Sequence, residues 1–209
     1  MIFYDCHTAP SPRRARMFLA EKGLDVEARE VDLTKGEQLS PAFLELNPLG
    51  TVPVLVTDDG TALYENLAIA TYLEATTPKP PLLGTTAEEK ALVMLWNSLV
   101  DQQFAVPLMD AFRNSHPKMA GRALPGPESF EQVPELAARG KARVDLFYTR
   151  LEKQLQGREF LAIDAFSLAD ISAFVIVEFA GMLRMPIPEE NTATRDWHGR
   201  VAERPSASV

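Results

Sequence analysis

Asn47-Pro48-Leu49-Gly50-Thr51-Val52-Pro53-Val54-Leu55, with Glu65-Asn66-Leu67-Ala68-Ile69 ten residues further on, is the stretch on which the reading of this chain turns. Val52 to Val56 has the apolar, β-branched composition of a strand, yet Pro53 stands inside it. Proline donates no hydrogen bond and is kept out of central strands. A cis Val52-Pro53 bond resolves the conflict, since X–Pro is the peptide link with only a modest cis penalty. The N–H and carbonyl of Val52 then turn out of the sheet, free to pair with an extended peptide. Glu65-Asn66 opens a helix whose first N–H groups lack partners within it and favour an anion. Together the two segments read as a site for a small peptide with a carboxylate at one end.

The bulk properties narrow the partners. At 209 residues the chain has room for two modest domains. A formal charge of −8 argues against nucleic acid, whose phosphates require an excess of Lys and Arg, and the short cluster Arg13-Arg14-Ala15-Arg16 does not overturn it. One cysteine, Cys6, excludes an internal disulfide, and the three histidines are scattered, so metal-ligand spacing is absent. No stretch approaches the roughly 20 apolar residues of a membrane span. The N-terminus lacks a signal-peptide layout, and a cytoplasmic location is expected.

The first 76 residues alternate strand and helix signals. Ile2 to Cys6 reads as a strand. Ser11-Pro12 opens a helix, with Ser as N-cap and Pro at the first helical position, and Gly23 stops it. Leu24 to Leu33 reads as a second strand. A short helix starts at Ser40-Pro41 and ends by Asn47, because Pro48 follows. Val52–Val56 and Thr61–Tyr64 form a hairpin across Asp58-Asp59-Gly60. Asn66 to about Ala75 is helical. The order βαβ, helix, ββ, helix describes a thioredoxin-like domain, residues 1–76, with a four-stranded mixed sheet.

Residues 77–85 form a proline-rich linker. Over 86–209 strand signals vanish and an all-helical domain is expected. Thr86 and Glu89 form a capping box opening a long helix towards Phe112, kinked at Pro107. His116 to Pro134 reads as an irregular loop of a length often tied to function. A helix then runs to about Gln156. Ser167 and Asp170 form another capping box, with Phe166 and Ile171 as its hydrophobic staple, before an almost wholly apolar helix that belongs at a core. A last helix contains Trp197.

This layout, with the Val52-Pro53 strand and its Asn-Pro-Leu-Gly lead-in, the Glu65-Asn66 helix start and the Ser167/Asp170 box, resembles the soluble glutathione S-transferases over essentially the whole chain. The resemblance implies a homodimer, glutathione as co-substrate without a metal, and detoxification chemistry on a hydrophobic electrophile held in a cleft between the domains. It implies that Val52, next to Pro53, pairs with the cysteinyl part of glutathione. Glu65 and Asn66 then hold the γ-glutamyl amine and carboxylate, and Gln38 and Lys35 lie near the glycine carboxylate. Most family members carry Ser or Thr where Asn66 stands.

The chemistry requires a thiolate. Lowering a thiol pKa from near 8.5 by about two units takes roughly 2.7 kcal/mol of preferential stabilisation of the anion. Ser11, at a helix start, is one candidate donor, although it falls a residue or two later than in serine-type members. Tyr4 sits within the first strand, and Cys6 lacks a Cys-x-x-Cys setting. Ser115 and His116, ending the long helix, are a second option, resembling atypical members that lack a first-helix residue and use a Ser/His-held water. Met109, Phe112 and Met119, with Phe130, are candidate walls of the electrophile pocket or ordinary core residues. The competing function is a non-catalytic glutathione-binding or interaction protein on the same fold. A disulfide reductase or dehalogenase-type activity is a third, and the lack of a cysteine at the helix start counts against the reductase form.

Overall fold

A computed structural model describes residues 1–209 and divides into two compact units. The first comprises Met1–Pro80 with Leu124–Ser129 and Val209, the second Pro81–Ala123 with Phe130–Ser208.

The first unit is a four-stranded mixed sheet with three helices, in the thioredoxin-like order. β1 (Ile2–Asp5) pairs in parallel with β2 (Glu27–Glu30) and antiparallel with β3 (Val54–Val56), and β3 pairs antiparallel with β4 (Ala62–Tyr64), giving the order β2-β1-β3-β4. β2 is shorter than the sequence suggests: all four of its residues are exposed at a sheet edge, and an edge strand needs only one ladder. α1 (Pro10–Glu21) also differs from expectation, since Ala9 rather than Ser11 is its N-cap. Pro10 and Pro12 both fall in the first turn, where a helix tolerates a missing N–H, so the helix starts earlier. α2 (Pro41–Leu46) is capped by Ser40, whose Oγ accepts from Phe43 N–H. α3 (Asn66–Thr76) is held to α1 by Lys22: its side chain is fully buried and its Nζ meets Glu74 and the Pro80 carbonyl, both at 2.5 Å.

The second unit is all-helical. α4 (Ala87–Val100) starts at Thr86 with both halves of the capping box formed. In place of one helix kinked at Pro107, the chain passes through a π turn at Asp101–Ala105 into α5 (Val106–Arg113). A widened turn just before Pro107 accommodates the residue that has no N–H to give. α6 (Pro134–Leu155) lies close on α5, where a Cβ at Gly140 would stand 2.4 Å from the Pro107 carbonyl oxygen. Between α5 and α6, the expected loop contains a short 3₁₀ turn, Pro117–Met119, and a bridge between Arg122 and Phe130. α7 (Leu168–Met182) is buried along most of its length, and α8 (Thr192–Ala202) brings Trp197 against it. Ser167 and Asp170 form the second capping box, with Phe166 and Ile171 both buried. Asp170 accepts hydrogen bonds from Leu161 N–H, Ser167 N–H and Oγ–H, and Trp197 Nε1. No helix is long and apolar enough to cross a membrane.

Candidate functional site

Asn47 is the clamp from which the candidate binding turn is built. Fully buried, it donates through Nδ2 to the Thr51 carbonyl (2.8 Å) and Thr51 Oγ1 (2.9 Å), and its Oδ1 accepts from Leu49 N–H (3.0 Å). Gly50 completes the turn at φ 59°, a left-handed conformation that favours glycine, and a Cβ there would crowd Leu39 Cδ2 at 2.8 Å. The turn delivers Val52 just outside β3, followed by a cis bond to Pro53. Neither the N–H nor the carbonyl of Val52 enters a backbone hydrogen bond within the chain. Both remain available to an extended ligand.

Glu65 is the N-cap of α3 and adopts φ 71°, a region non-glycine residues seldom occupy. Its exposed side chain does not cap the helix. Ile69 N–H is the first to find a helical acceptor, the Glu65 carbonyl at 3.1 Å. The amides of Asn66, Leu67 and Ala68 are thus the open donors of the helix start. A carboxylate side chain beside open amides suits a zwitterionic group: the amides take its anion and Glu65 its cation.

Ser11 meets this site directly. Its Oγ accepts a 2.9 Å hydrogen bond from Asn66 Nδ2 and does not cap α1. With one of its two lone pairs engaged, the hydroxyl still has its proton free for another acceptor. Pro10 and Pro12 carry no N–H, so the Ser11 amide is the open donor of the first turn of α1. The Asn66 Oδ1 is buried without a partner, and so is Gln38 Oε1, the latter on a 3₁₀ turn (Glu37–Leu39) that starts from Gly36 at φ 74°. Lys35 is exposed and paired with Asp32 at 3.1 Å. Hydrogen bonds from Thr34, then from Lys35, hold the Asp32 carboxyl down to about 2.

The other titratable groups of the first unit are placed differently. The Tyr4 ring packs edge-on against Phe43 and its hydroxyl accepts from Arg29 at 3.4 Å. Cys6 is buried, with Sγ 3.5 Å from Thr8 Oγ1. Asp5, His7 and Glu30 bring one ligand-type atom each to within 4.8 Å of one another, although Arg16 already sits 2.5 Å from Asp5.

In the second unit Ser115 Oγ donates back to the Ala111 carbonyl at 2.6 Å. His116 caps the following 3₁₀ turn, its Nδ1 accepting from Lys118 N–H at 3.2 Å, which puts the ring proton on Nε2 as a donor. Its ring lies 5.2 Å from that of Phe112, which meets Phe179 edge-on at 6.1 Å. Met109, Phe112 and Met119 are half-buried, and Phe130 is exposed. Sequence reasoning assigned no role to Asn47. The Asn-Pro-x-Gly spacing is the signal that finds it, since Asn side chains commonly close such turns on their own backbone.

Comparison with known proteins places these features in a family. Residues 8–76 match the model for the glutathione S-transferase N-terminal domain, and residues 115–205 the model for its C-terminal domain. Glutathione S-transferase 2 of Saccharomyces cerevisiae is 36% identical, with 99% of this chain and 87% of that protein covered. Glutathione S-transferase F10 of Arabidopsis thaliana is 34% identical over 81% of this chain and 76% of its own length. Among solved structures, Gtt2 from S. cerevisiae superposes with a TM-score of 0.91 at 33% identity, covering 100% of this chain and 99% of that one. Glutathione transferase URE2P6 from Phanerochaete chrysosporium, determined in complex with oxidized glutathione, gives 0.83 at 25% identity, covering 99% and 92%.

Proposed function

The chain belongs to the glutathione S-transferase family, and from that premise we propose that it binds glutathione, ionises its thiol and delivers the sulfur to a hydrophobic electrophile. The observation that carries this reading is the joining of two helix starts by the Ser11–Asn66 hydrogen bond, beside the open amides of α3 and the carboxylate of Glu65.

The Val52 N–H and carbonyl pair with the cysteinyl backbone of the ligand. Glu65 takes the γ-glutamyl ammonium, and the amides of Asn66, Leu67 and Ala68 take its carboxylate. Lys35 and Gln38 serve the glycine end. Ser11 donates its hydroxyl proton to the sulfur, favouring the thiolate over the thiol. The thiol proton leaves to water. The thiolate then attacks carbon, an S–C bond forms, and the displaced electron pair departs with a leaving group or moves onto an acceptor atom that is protonated by solvent. In the reducing variant a second glutathione thiolate attacks the sulfur of the first, glutathione disulfide forms, and the electrophile departs with the electron pair and a proton from solvent. Ser115 and His116 are the alternative activators, with the Nε2–H of His116 as a donor that holds a water at the sulfur. Met109, Phe112 and Met119 form walls for the electrophile. The family resemblance supports a cytoplasmic homodimer. Calorimetric titration with glutathione tests the binding step: the wild type binds and Glu65→Gln binds at least tenfold more weakly, whereas equal affinity would contradict the placement.

A further inference from the structure

Arg113 ends α5 and Arg122 follows nine residues later in the loop; Asp110 shares the last turn of α5 but forms no ion pair. Arg113, in the last turn, is half-buried, and its Nη1 donates to the Arg122 carbonyl at 2.9 Å. Neither arginine takes part in any of the chain's ion pairs. The segment from Arg113 to Arg122 includes Lys118 as well and contains no Asp or Glu, in a chain whose net charge is −8. Burial, and next the charge of Arg122, hold the Arg113 guanidinium below its ordinary pKa. Half-buried cations are normally paired, because desolvation is costly without a counter-charge. The α5 dipole places only about half a negative charge at this end, which offsets a fraction of one arginine and not two.

The surroundings are fixed in place. Gln132 Nε2 donates to the carbonyls of Arg113 (2.7 Å) and His116 (2.8 Å), and Val133 N–H donates to Asn114 Oδ1 (2.9 Å). The loop neck is closed by Ala123 N–H to the Phe130 carbonyl and Phe130 N–H to the Gly121 carbonyl. Phe112, the residue before Arg113 in α5, pairs its ring with His116, which lies just beyond the end of the helix. A guanidinium has five N–H donors in a planar fork, and one of those on Arg113 is engaged.

We propose that Arg113 and Arg122 form an oxyanion site for a carboxylate carried by the second substrate, whose apolar body packs on the Phe112–His116 pair. The substrate class is therefore an aryl or similarly flat electrophile bearing a carboxylate. The fork matches the two oxygens of a carboxylate. A strongly hydrated inorganic dianion loses more on entering beside two aromatic rings than an aryl carboxylate does. This inference rests on the conjugating reading given above.

The test has two arms on the full-length protein. In the first, p-nitrobenzoate is titrated into wild type, Arg113→Met and Arg122→Met, with p-nitrotoluene as the uncharged control. Binding of the carboxylate is expected to weaken about tenfold in Arg113→Met and severalfold in Arg122→Met. In the second arm, kcat/KM is measured for chlorodinitrobenzoate against chlorodinitrobenzene, and the preference for the carboxylate falls about tenfold in Arg113→Met. Arg113→Lys restores part of it, because an ammonium offers charge without the fork. Equal p-nitrobenzoate binding in all three proteins overturns the anion site. Loss of p-nitrobenzoate binding in the variants, without turnover of either electrophile, leaves the anion site standing and refutes conjugation instead. Arg122 is exposed, so its variant keeps the test decisive if Arg113→Met does not fold.

Discussion

Asn66 Nδ2 donates a 2.9 Å hydrogen bond to Ser11 Oγ, tying the first turn of α3 to the first turn of α1 across 55 residues of sequence. The bond fixes the oxygen while leaving its proton free. It also joins the residue expected to face the γ-glutamyl end to the residue expected to face the sulfur.

Ser11→Ala removes that donor without uncapping α1, because Ser11 does not cap it. The fold is expected to hold, and kcat/KM to fall about 10²-fold, as for loss of one preorganised donor to a developing anion. Steady-state kinetics with glutathione varied will check this. Unchanged kinetics would transfer the role to Ser115 and His116.

Glu65→Gly separates stability from function. The φ of 71° costs a non-glycine residue on the order of 1–3 kcal/mol, more than the roughly 0.5–1 kcal/mol of extra freedom glycine adds to the unfolded chain. The Tm is expected to rise, while glutathione affinity drops about 10- to 100-fold through loss of a charge-assisted hydrogen bond. A thermal melt and a titration on the same sample report both.

Asp32 gives a pH dependence. Its carboxyl falls from an ordinary 3.8 to about 2 in the folded state, chiefly through Thr34 and then Lys35. A depressed carboxyl stabilises the fold above its unfolded pKa, and that stability is lost as pH falls towards the folded value. The Tm advantage of wild type over Asp32→Asn should therefore be constant near neutrality. It should shrink progressively below about pH 4 and vanish only below about pH 2.

Asp170→Ala strips the acceptor from Leu161, Ser167 and Trp197 in a fully buried position. Orphaned buried donors cost about 1–3 kcal/mol each. With partial relaxation, the total destabilisation is expected at about 3–5 kcal/mol. Denaturant unfolding followed by Trp197 fluorescence will show an earlier midpoint.

The fold was largely legible because its punctuation is local. Ser40-Pro41 and Pro48 bracket α2, and Thr86/Glu89 and Ser167/Asp170 announce α4 and α7 within four residues each. What escaped the sequence depends on distant partners or on competing local rules. Two prolines in one turn moved the N-cap of α1 from Ser11 to Ala9. The π turn before Pro107 reflects packing that no helical periodicity encodes. Edge placement shortened β2. The candidate site divides the same way. Val52 and Glu65 stand out through proline and a helix start, whereas the Ser11–Asn66 bond and the pairing of Arg113 with the Arg122 carbonyl appear only once the chain is folded.

The most direct measurement is the ultraviolet absorbance of bound glutathione thiolate as a function of pH, on wild type, Ser11→Ala and the double variant Ser115→Ala/His116→Ala. The account predicts a thiol pKa well below the free value in wild type and a return towards that value in Ser11→Ala. Glutathione that binds with an unshifted thiol pKa would contradict it, leaving a protein that holds the peptide without activating it.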